Sequence, residues 1–216
     1  FVEMYPYSPY YTPALLDLGL VHFNLGNSDR SLHFYDKIIS AAPQSAAAKD
    51  AIQSVREIYV SKGDINAYFA YAERSGVQSD MSTAARDSLT FAAAKNVYLA
   101  GDMGEARTKL TNYLRSFEKG YNRTEALFYL SDCHINLEDK PSALETMEEL
   151  LAQGLNQYTE RVLGVYADMS YDMKQFAKSA EAYRSLYDVA HEKDKRARAS
   201  EGYVDAASMT GDSATI

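Results

Sequence analysis

The feature that most constrains this chain is a turn signal that returns at nearly constant spacing. It falls at Gly26, Gly63, Gly101, Glu138, Lys174 and Gly211, at intervals of 37, 38, 37, 36 and 37 residues. The residues before the first turn, Leu15, Leu18, His22 and Leu25, recur with the spacing of a helix. A fixed period of about 20 to 50 residues is typical of repeat proteins whose units stack on their neighbours. The sequence therefore predicts one helical hairpin in each period.

The hairpins divide the 216 residues into a series of predicted repeats that form a single array. Residues 1–11 would end a preceding repeat, the repeats would follow at 12–45, 49–82, 87–120, 124–157 and 160–193, and residues 197–216 would begin another. Each repeat covers its apolar face with its neighbours, so an array cut within a repeat would expose core. We therefore expect the chain to be an excerpt of a longer array, or to be capped by another segment.

Charge and apolar patterning exclude several function classes. The formal net charge is −8, from 22 basic and 30 acidic residues. This balance argues against nucleic acid as a partner, because phosphate binding requires a concentrated basic surface. The densest basic run, 193–198, is interrupted by an acidic residue, and we interpret it as an exposed helix start. No apolar run approaches the roughly 18 residues that span a bilayer, so membrane insertion of this segment is not expected.

One stretch, Asp132-Cys133-His134, contains a carboxylate, a thiol and an imidazole side by side. Adjacent helical residues point about 100° apart, so these groups cannot converge on one substrate atom. We predict that Cys133 packs as a small apolar residue and that His134 fills a gap between helices, as His22 does at the equivalent position of the first repeat. The sequence contains no phosphate-binding glycine loop, nucleophile elbow or paired-histidine motif, and it predicts neither an enzyme nor a cofactor.

The repeat pattern resembles the tetratricopeptide repeat, a helix–turn–helix unit of about 34 residues. That family places leucine and then a small residue in the first helix, a glycine at the turn, a small residue and an aromatic in the second helix, and a closing proline. The matching residues are Leu18, Gly19, Gly26, Ser31, Tyr35 and Pro43, then Ala94, Gly101 and Ala106, then Leu130 and Ala143, then Ala167, Ser179 and Tyr183. The second repeat departs from the pattern, with Arg56 and Tyr68 at its two small-residue positions.

The resemblance implies an all-α fold, a right-handed α-solenoid of about five full repeats with partial ends. Small residues would let the paired helices cross closely, and aromatic residues would fill the space to the next unit. The segment from Tyr5-Pro6 through Ser8-Pro9 and Ala14-Leu15 to Gly19 is also similar to a junction in bacterial cell-envelope tetratricopeptide proteins. This likeness favours a periplasmic or cell-envelope location over a cytoplasmic one.

The resemblance further implies a concave surface that is lined by the first helix of each repeat. The candidate protein-binding residues are Asp17, Leu20, Gln53, Glu57, Phe91, Lys95, Tyr98, Glu125, Phe128, Asp132, Arg161, Asp168 and Asp172. With Asp50 counted, seven carboxylates face two cations on this surface. The lysine-and-asparagine clamp of chaperone-tail-binding members is missing. We therefore expect a protein or peptide partner that is neutral or basic, with apolar anchors meeting Phe91, Tyr98 and Phe128. The alternative is an acidic, solvated face without a ligand.

Together these patterns predict a non-catalytic protein–protein interaction scaffold that binds an extended or helical segment in its groove. Two alternatives remain open, a structural spacer or assembly subunit, and a regulatory repeat region attached to a catalytic or DNA-binding domain outside these residues. Replacing Phe128 and Tyr98 by alanine separates the scaffold from the spacer. The scaffold hypothesis predicts loss of partner capture with no change in oligomer size.

Overall fold

In a computed structural model that describes residues 1–76 and 82–210, the chain is all-helical, as predicted. The helices are α1 Tyr11–Asn24, α2 Ser28–Ala41, α3 Ala46–Ser61, α4 Ile65–Arg74, α5 Thr83–Leu99, α6 Met103–Ser116, α7 Arg123–Asn136, α8 Lys140–Leu151, α9 Thr159–Asp172, α10 Phe176–Val189 and α11 Lys193–Met209. Residues 1–10 form turns. The predicted turn at position 211 and the remainder of the last predicted repeat lie outside the described residues.

The helices form two compact units, residues 1–101 and 102–216. In the first unit, α3 packs against α1, α2, α4 and α5, and α1 also packs against α2. In the second unit, each helix from α6 to α11 packs against the next one. Within each unit, extensive contacts therefore join helices that are adjacent in the chain or one helix apart, which is the packing pattern of stacked repeats.

The five described turns share a left-handed backbone conformation at the predicted position. The φ angles are 75° at Gly26, 68° at Gly63, 88° at Gly101, 59° at Glu138 and 60° at Lys174. A backbone hydrogen bond closes the turn, for example from Asp139 N–H to the His134 carbonyl oxygen at 2.9 Å. This bond belongs to the Schellman motif, which satisfies carbonyl groups at the end of a helix. The equivalence of these five turn positions is thus confirmed, although two of them lack glycine.

Replacing Glu138 and Lys174 by glycine is expected to stabilise the protein. A residue with a Cβ atom is strained at positive φ, whereas glycine adopts this region freely. We expect each change to raise the free energy of unfolding by about 0.5–1 kcal/mol, after the greater flexibility of glycine in the unfolded chain is subtracted. Urea unfolding followed by circular dichroism measures the effect.

The matched control is Gly101→Ala. An added Cβ atom at Gly101 meets nothing within 4 Å, so this variant tests backbone strain alone. It should lower the free energy of unfolding by about 1 kcal/mol. A glycine double variant that is less stable than the native chain would contradict the expected strain at Glu138 and Lys174.

Small residues mark the places where paired helices cross. Ser31 in α2 and Ser179 in α10 are fully buried. Their hydroxyls donate to the carbonyl oxygens of Gly19 at 2.6 Å and Ala167 at 2.9 Å, twelve residues earlier in the preceding helix. The buried Ala143 of α8 occupies the corresponding position. These contacts confirm the small-residue positions, and they add a hydrogen bond that the repeat pattern does not predict.

Serine side chains set the starts of α3 and α5. The Ser45 hydroxyl accepts a hydrogen bond from Ala48 N–H at 3.1 Å, and the Ser82 hydroxyl accepts one from Ala85 N–H at 3.2 Å. Such N-caps satisfy amide groups that have no partner within the first helical turn. The two helices consequently begin at Ala46 and Thr83, ahead of the predicted repeat starts at 49 and 87.

Candidate protein-binding site

In the first unit, the predicted surface residues lie on α1, α3 and α5, and most of them are accessible. The exposed ones are Asp17, Leu20, Gln53 and Glu57. Phe91 requires a correction, because it is buried with 5% of its surface exposed and cannot anchor a partner. The Lys95 ammonium lies 5.9 Å from the centre of the Phe91 ring, and Tyr98 is half-buried.

In the second unit, two of the predicted residues come together between α7 and α9. The Phe128 ring stacks on Tyr158, with centroids 4.3 Å apart and planes 16° apart. The Arg161 guanidinium lies 5.0 Å from the centre of the same ring, which is the geometry of a cation–π contact. Phe128 and Arg161 therefore support each other, and Tyr158 joins them from the start of α9. Glu125 and Asp132 are half-buried on the same helix as Phe128.

Asp168 joins α9 to two other helices. Its carboxylate accepts hydrogen bonds from the Tyr183 hydroxyl of α10 at 2.5 Å and from the Arg198 guanidinium of α11 at 2.6 Å. Burial, followed by the hydrogen bond to Asp168, raises the pKa of Tyr183 and keeps its hydroxyl protonated as a donor. The neighbouring Asp172 lies nearer solvent, with an oxygen 3.7 Å from the Lys140 ammonium of α8.

A cleft of about 380 Å³ lies among α9, α10 and α11. Its lining residues are Glu160, Arg161, Gly164, Val165, Asp168, Tyr183, Leu186, Lys195 and Arg198. The apolar part comes from Val165, Leu186 and the Tyr183 ring. The two ion pairs that bridge the cleft join Glu160 to Lys195 and Asp168 to Arg198, each at 2.6 Å. The site thus combines an apolar interior with a charged rim.

The charged groups on this rim differ in whether they have an ion-pair partner. The hydrogen bond from Lys195 lowers the pKa of Glu160, and the hydrogen bonds to Glu160 and Glu192 raise the pKa of Lys195, so these groups stay charged at neutral pH. Arg161 differs, because within residues 1–76 and 82–210 it forms no ion pair, and its guanidinium lies over the Phe128 ring. Arg161 is therefore the cation of the cleft lining that has no ion-pair partner among the described residues.

Sequence reasoning missed the α11 side of this cleft. Lys195 and Arg198 belong to the basic run that was interpreted as an exposed helix start, and both do lie in the first turns of α11. Their spacing of three residues places them on one face of a helix. That spacing was a usable signal, but it does not reveal that the face points toward α9.

The residues Cys133 and His134 pack within the second unit. Cys133 is completely buried, and burial raises the pKa of its thiol to about 11, which leaves it protonated and unreactive near neutral pH. Burial also lowers the pKa of His134, and its Nδ1 atom lies 3.5 Å from Asp139 without forming a hydrogen bond. In the part of the chain that the structure describes, no group of three or more histidine, cysteine or acidic residues could hold a metal ion.

Acidification is expected to destabilise the protein through His134. Because its pKa is lowered in the folded state, the unfolded chain binds the proton first as the pH falls through about 6.5. The stability due to neutral His134 is thus present above that pH and is lost below it. His134→Phe should reduce the decline in unfolding free energy between about pH 7.5 and about pH 5.5, measured by urea unfolding. The exposed His33, changed to phenylalanine, is the control, and equal declines in both variants would count against this role.

The described helices are also too short or too polar to cross a membrane, since none combines sufficient length with sufficient apolar character.

Residues 13–45 and 125–153 match the protein family described as tetratricopeptide repeat. These segments contain most of the α1–α2 hairpin and most of the α7–α8 hairpin. Two segments of the chain match the tetratricopeptide repeat. The matched segments include the left-handed turns at Gly26 and Glu138 and the small residues Ser31 and Ala143 at helix crossings.

Solved structures resemble this chain at low sequence identity. A chain in the structure of Naa15/Naa10 bound to HypK-THB has a TM-score of 0.53 and 18% identity, over 91% of this chain and 29% of that one. YrrB, described as a TPR protein with an unusual peptide-binding site, has a TM-score of 0.47 and 17% identity, over 92% and 96% of the two chains. PilF of Pseudomonas aeruginosa has a TM-score of 0.47 and 18% identity, over 94% and 86%.

The first of these likenesses supports the helical repeat fold. This chain spans less than a third of the length of that relative. No curated protein matched the sequence.

Proposed function

We propose that this tetratricopeptide repeat protein is a non-catalytic interaction module that holds a segment of a partner protein. The observation that carries the proposal is the cleft among α9, α10 and α11, where an apolar interior formed by Val165, Leu186 and Tyr183 opens between charged residues. Protein-binding surfaces commonly combine an apolar centre with a polar rim. The Phe128–Arg161 contact lies beside this cleft and extends the surface toward α7.

The partner segment is proposed to be extended or helical and to insert an apolar side chain as its anchor. The expected neutral or basic charge of the partner depended on an excess of carboxylates over cations. At this cleft, Lys195 and Arg198 pair with Glu160 and Asp168, so these two carboxylates are already occupied. The proposal therefore keeps the apolar anchor and reconsiders the charge. A bacterial cell envelope remains the proposed setting, supported by the likeness of residues 5–19 to envelope proteins.

Selection from a random-peptide display library tests this function. The native chain is the bait, and recovered peptides are titrated by fluorescence anisotropy against scrambled versions of themselves. Amide resonances of α9 and α11 should shift on peptide binding, because these helices form the two sides of the cleft. Failure to recover any peptide that binds better than its scrambled version would contradict the proposal.

A second candidate function is that of an assembly subunit, and exposed apolar side chains in the first unit favour it. Leu20, Val21 and Leu25, near the end of α1, are 52%, 51% and 67% exposed. Exposed apolar side chains that cluster can mark a surface for association with another protein. Sedimentation equilibrium of the native chain and of Leu25→Ser separates the two functions. Self-association that the substitution abolishes, in a chain that selects no peptides, would support the assembly subunit.

A further inference from the structure

Glycine inside a helix lowers stability by about 1 kcal/mol relative to alanine, so an interior glycine calls for a reason. Gly19 and Gly202 have a packing reason, because an added Cβ atom would lie 2.5 Å from a ring atom of Tyr35 or Tyr183. At Gly164 the nearest atom to an added Cβ is Leu186 Cδ2, at an ordinary contact distance of 3.7 Å. Packing therefore does not require glycine at position 164.

The missing side chain of Gly164 helps to keep the cleft open. Gly164 lies three residues after Arg161 and four before Asp168, so the three residues share one face of α9. The cleft volume of about 380 Å³ falls within the range of roughly 300–1,000 Å³ that is usual for ligand pockets. A locally unfavourable residue without a packing benefit is expected where function requires it. Glycine at position 164 is explained if the cleft must stay empty to accept a side chain of a bound partner.

We infer that the Gly164 cleft is an anchor pocket for one bulky aliphatic or aromatic side chain of a partner segment, and that the segment carries an aspartate or glutamate beside this anchor. The inference rests on the proposed function, since it specifies the segment that the same site takes. The apolar surfaces of Val165, Leu186 and Tyr183 favour the anchor.

The charges of the rim determine which residue accompanies the anchor. Glu160 and Asp168 already accept hydrogen bonds from Lys195 and from Arg198 and Tyr183, so a basic partner residue would have to displace them. Arg161 is exposed and has no carboxylate partner among the described residues. A carboxylate from the partner would pair with Arg161 and leave the two bridging ion pairs intact.

Filling the cleft is the direct test. In the Gly164→Leu variant the new side chain should occupy the space of the anchor while the helix remains folded, because an added Cβ atom meets only Leu186 Cδ2, at an ordinary contact distance. We expect this variant to bind the selected peptides about 30-fold more weakly than the native chain, which is the usual effect of losing a central anchor. Ser200→Leu is the matched control, since Ser200 lines a different cleft of α11 with Arg184 and Tyr203. Thermal unfolding of both variants verifies that they fold.

A second arm tests the charge. The peptide is synthesised with its acidic residue changed to the amide, and both peptides are titrated against the native chain and against Arg161→Gln. We expect the amide to weaken binding to the native chain by up to about fivefold, the range for an exposed ion pair, and to have little effect on Arg161→Gln. Equal losses against both chains would overturn the assignment of Arg161 as the carboxylate partner.

The outcomes distinguish this inference from the proposed function. Peptides that bind the native chain and Gly164→Leu equally well would overturn the anchor pocket and leave the interaction module standing. A peptide consensus enriched in lysine or arginine beside the anchor would overturn the acidic segment. The absence of any peptide binding would overturn both proposals.

Discussion

Replacing Tyr35 by alanine should lower the free energy of unfolding by about 3–5 kcal/mol, the usual loss for truncating a buried aromatic side chain. Tyr35 is 2% exposed and extends from α2 toward α1, where its ring fills the space beside Gly19. The substitution leaves a cavity where these two helices cross. Urea unfolding followed by circular dichroism measures the loss, and Tyr35→Phe, which keeps the ring, is the matched control.

The contact between Gly19 and the Tyr35 ring also determines whether Gly19→Ala destabilises or stabilises the protein. In the native chain, Gly19→Ala places a Cβ atom 2.5 Å from the Tyr35 ring, and we expect it to destabilise the protein by about 1–3 kcal/mol. In the Tyr35→Ala chain the ring is gone, so the better helix propensity of alanine should stabilise the protein by up to about 1 kcal/mol. Simple additivity of the two changes would show that the ring and the glycine do not depend on each other.

Placing leucine at Ser179 is expected to lower the free energy of unfolding by about 3 kcal/mol. Ser179 is fully buried between α9 and α10, and its hydroxyl bonds the Ala167 carbonyl oxygen at 2.9 Å. A larger side chain would separate helices that cross closely, which is the usual effect of overfilling a packed core. Thermal and urea unfolding report the change.

Two variants separate size from hydrogen bonding at this crossing. Ser179→Ala removes the hydroxyl without adding bulk and should cost about 1 kcal/mol. Ala143→Ser adds a hydroxyl at the equivalent position of α8 and should stay within about 1 kcal/mol of the native chain, since α2 and α10 accommodate serine there. If leucine at Ser179 proved as mild as alanine, a close crossing would not be what requires a small residue.

The repeat fold could be predicted because its determinants are local and periodic. The turn at Glu138 was placed by spacing alone, and its φ of 59° matches the glycine turns. Helix starts were less predictable, because the caps from Ser45 and Ser82 add a turn before the repeat pattern begins. Spacing also misassigned Phe91. It was predicted to lie on the accessible surface, but it belongs to the buried face of α5, together with Asp87 and Ala94.

The candidate site was less accessible from the sequence. Its ion pair between Asp168 and Arg198 joins residues thirty positions apart, and such a contact depends on how α9 and α11 are placed on α10. A glycine in a helix gives the same sequence signal whether it accommodates a ring, as at Gly202, or opens a cleft, as at Gly164. Only the distance from the missing Cβ atom to its neighbours distinguishes the two.

The burial of Cys133 gives this protein an internal reporter of local opening. It is the single cysteine of the chain, and its side chain on α7 is buried. An alkylating reagent can therefore modify it only when that part of the structure opens. The rate of modification under native conditions therefore measures the frequency of opening without an introduced label. A ligand that binds the closed form should slow the modification in proportion to its occupancy.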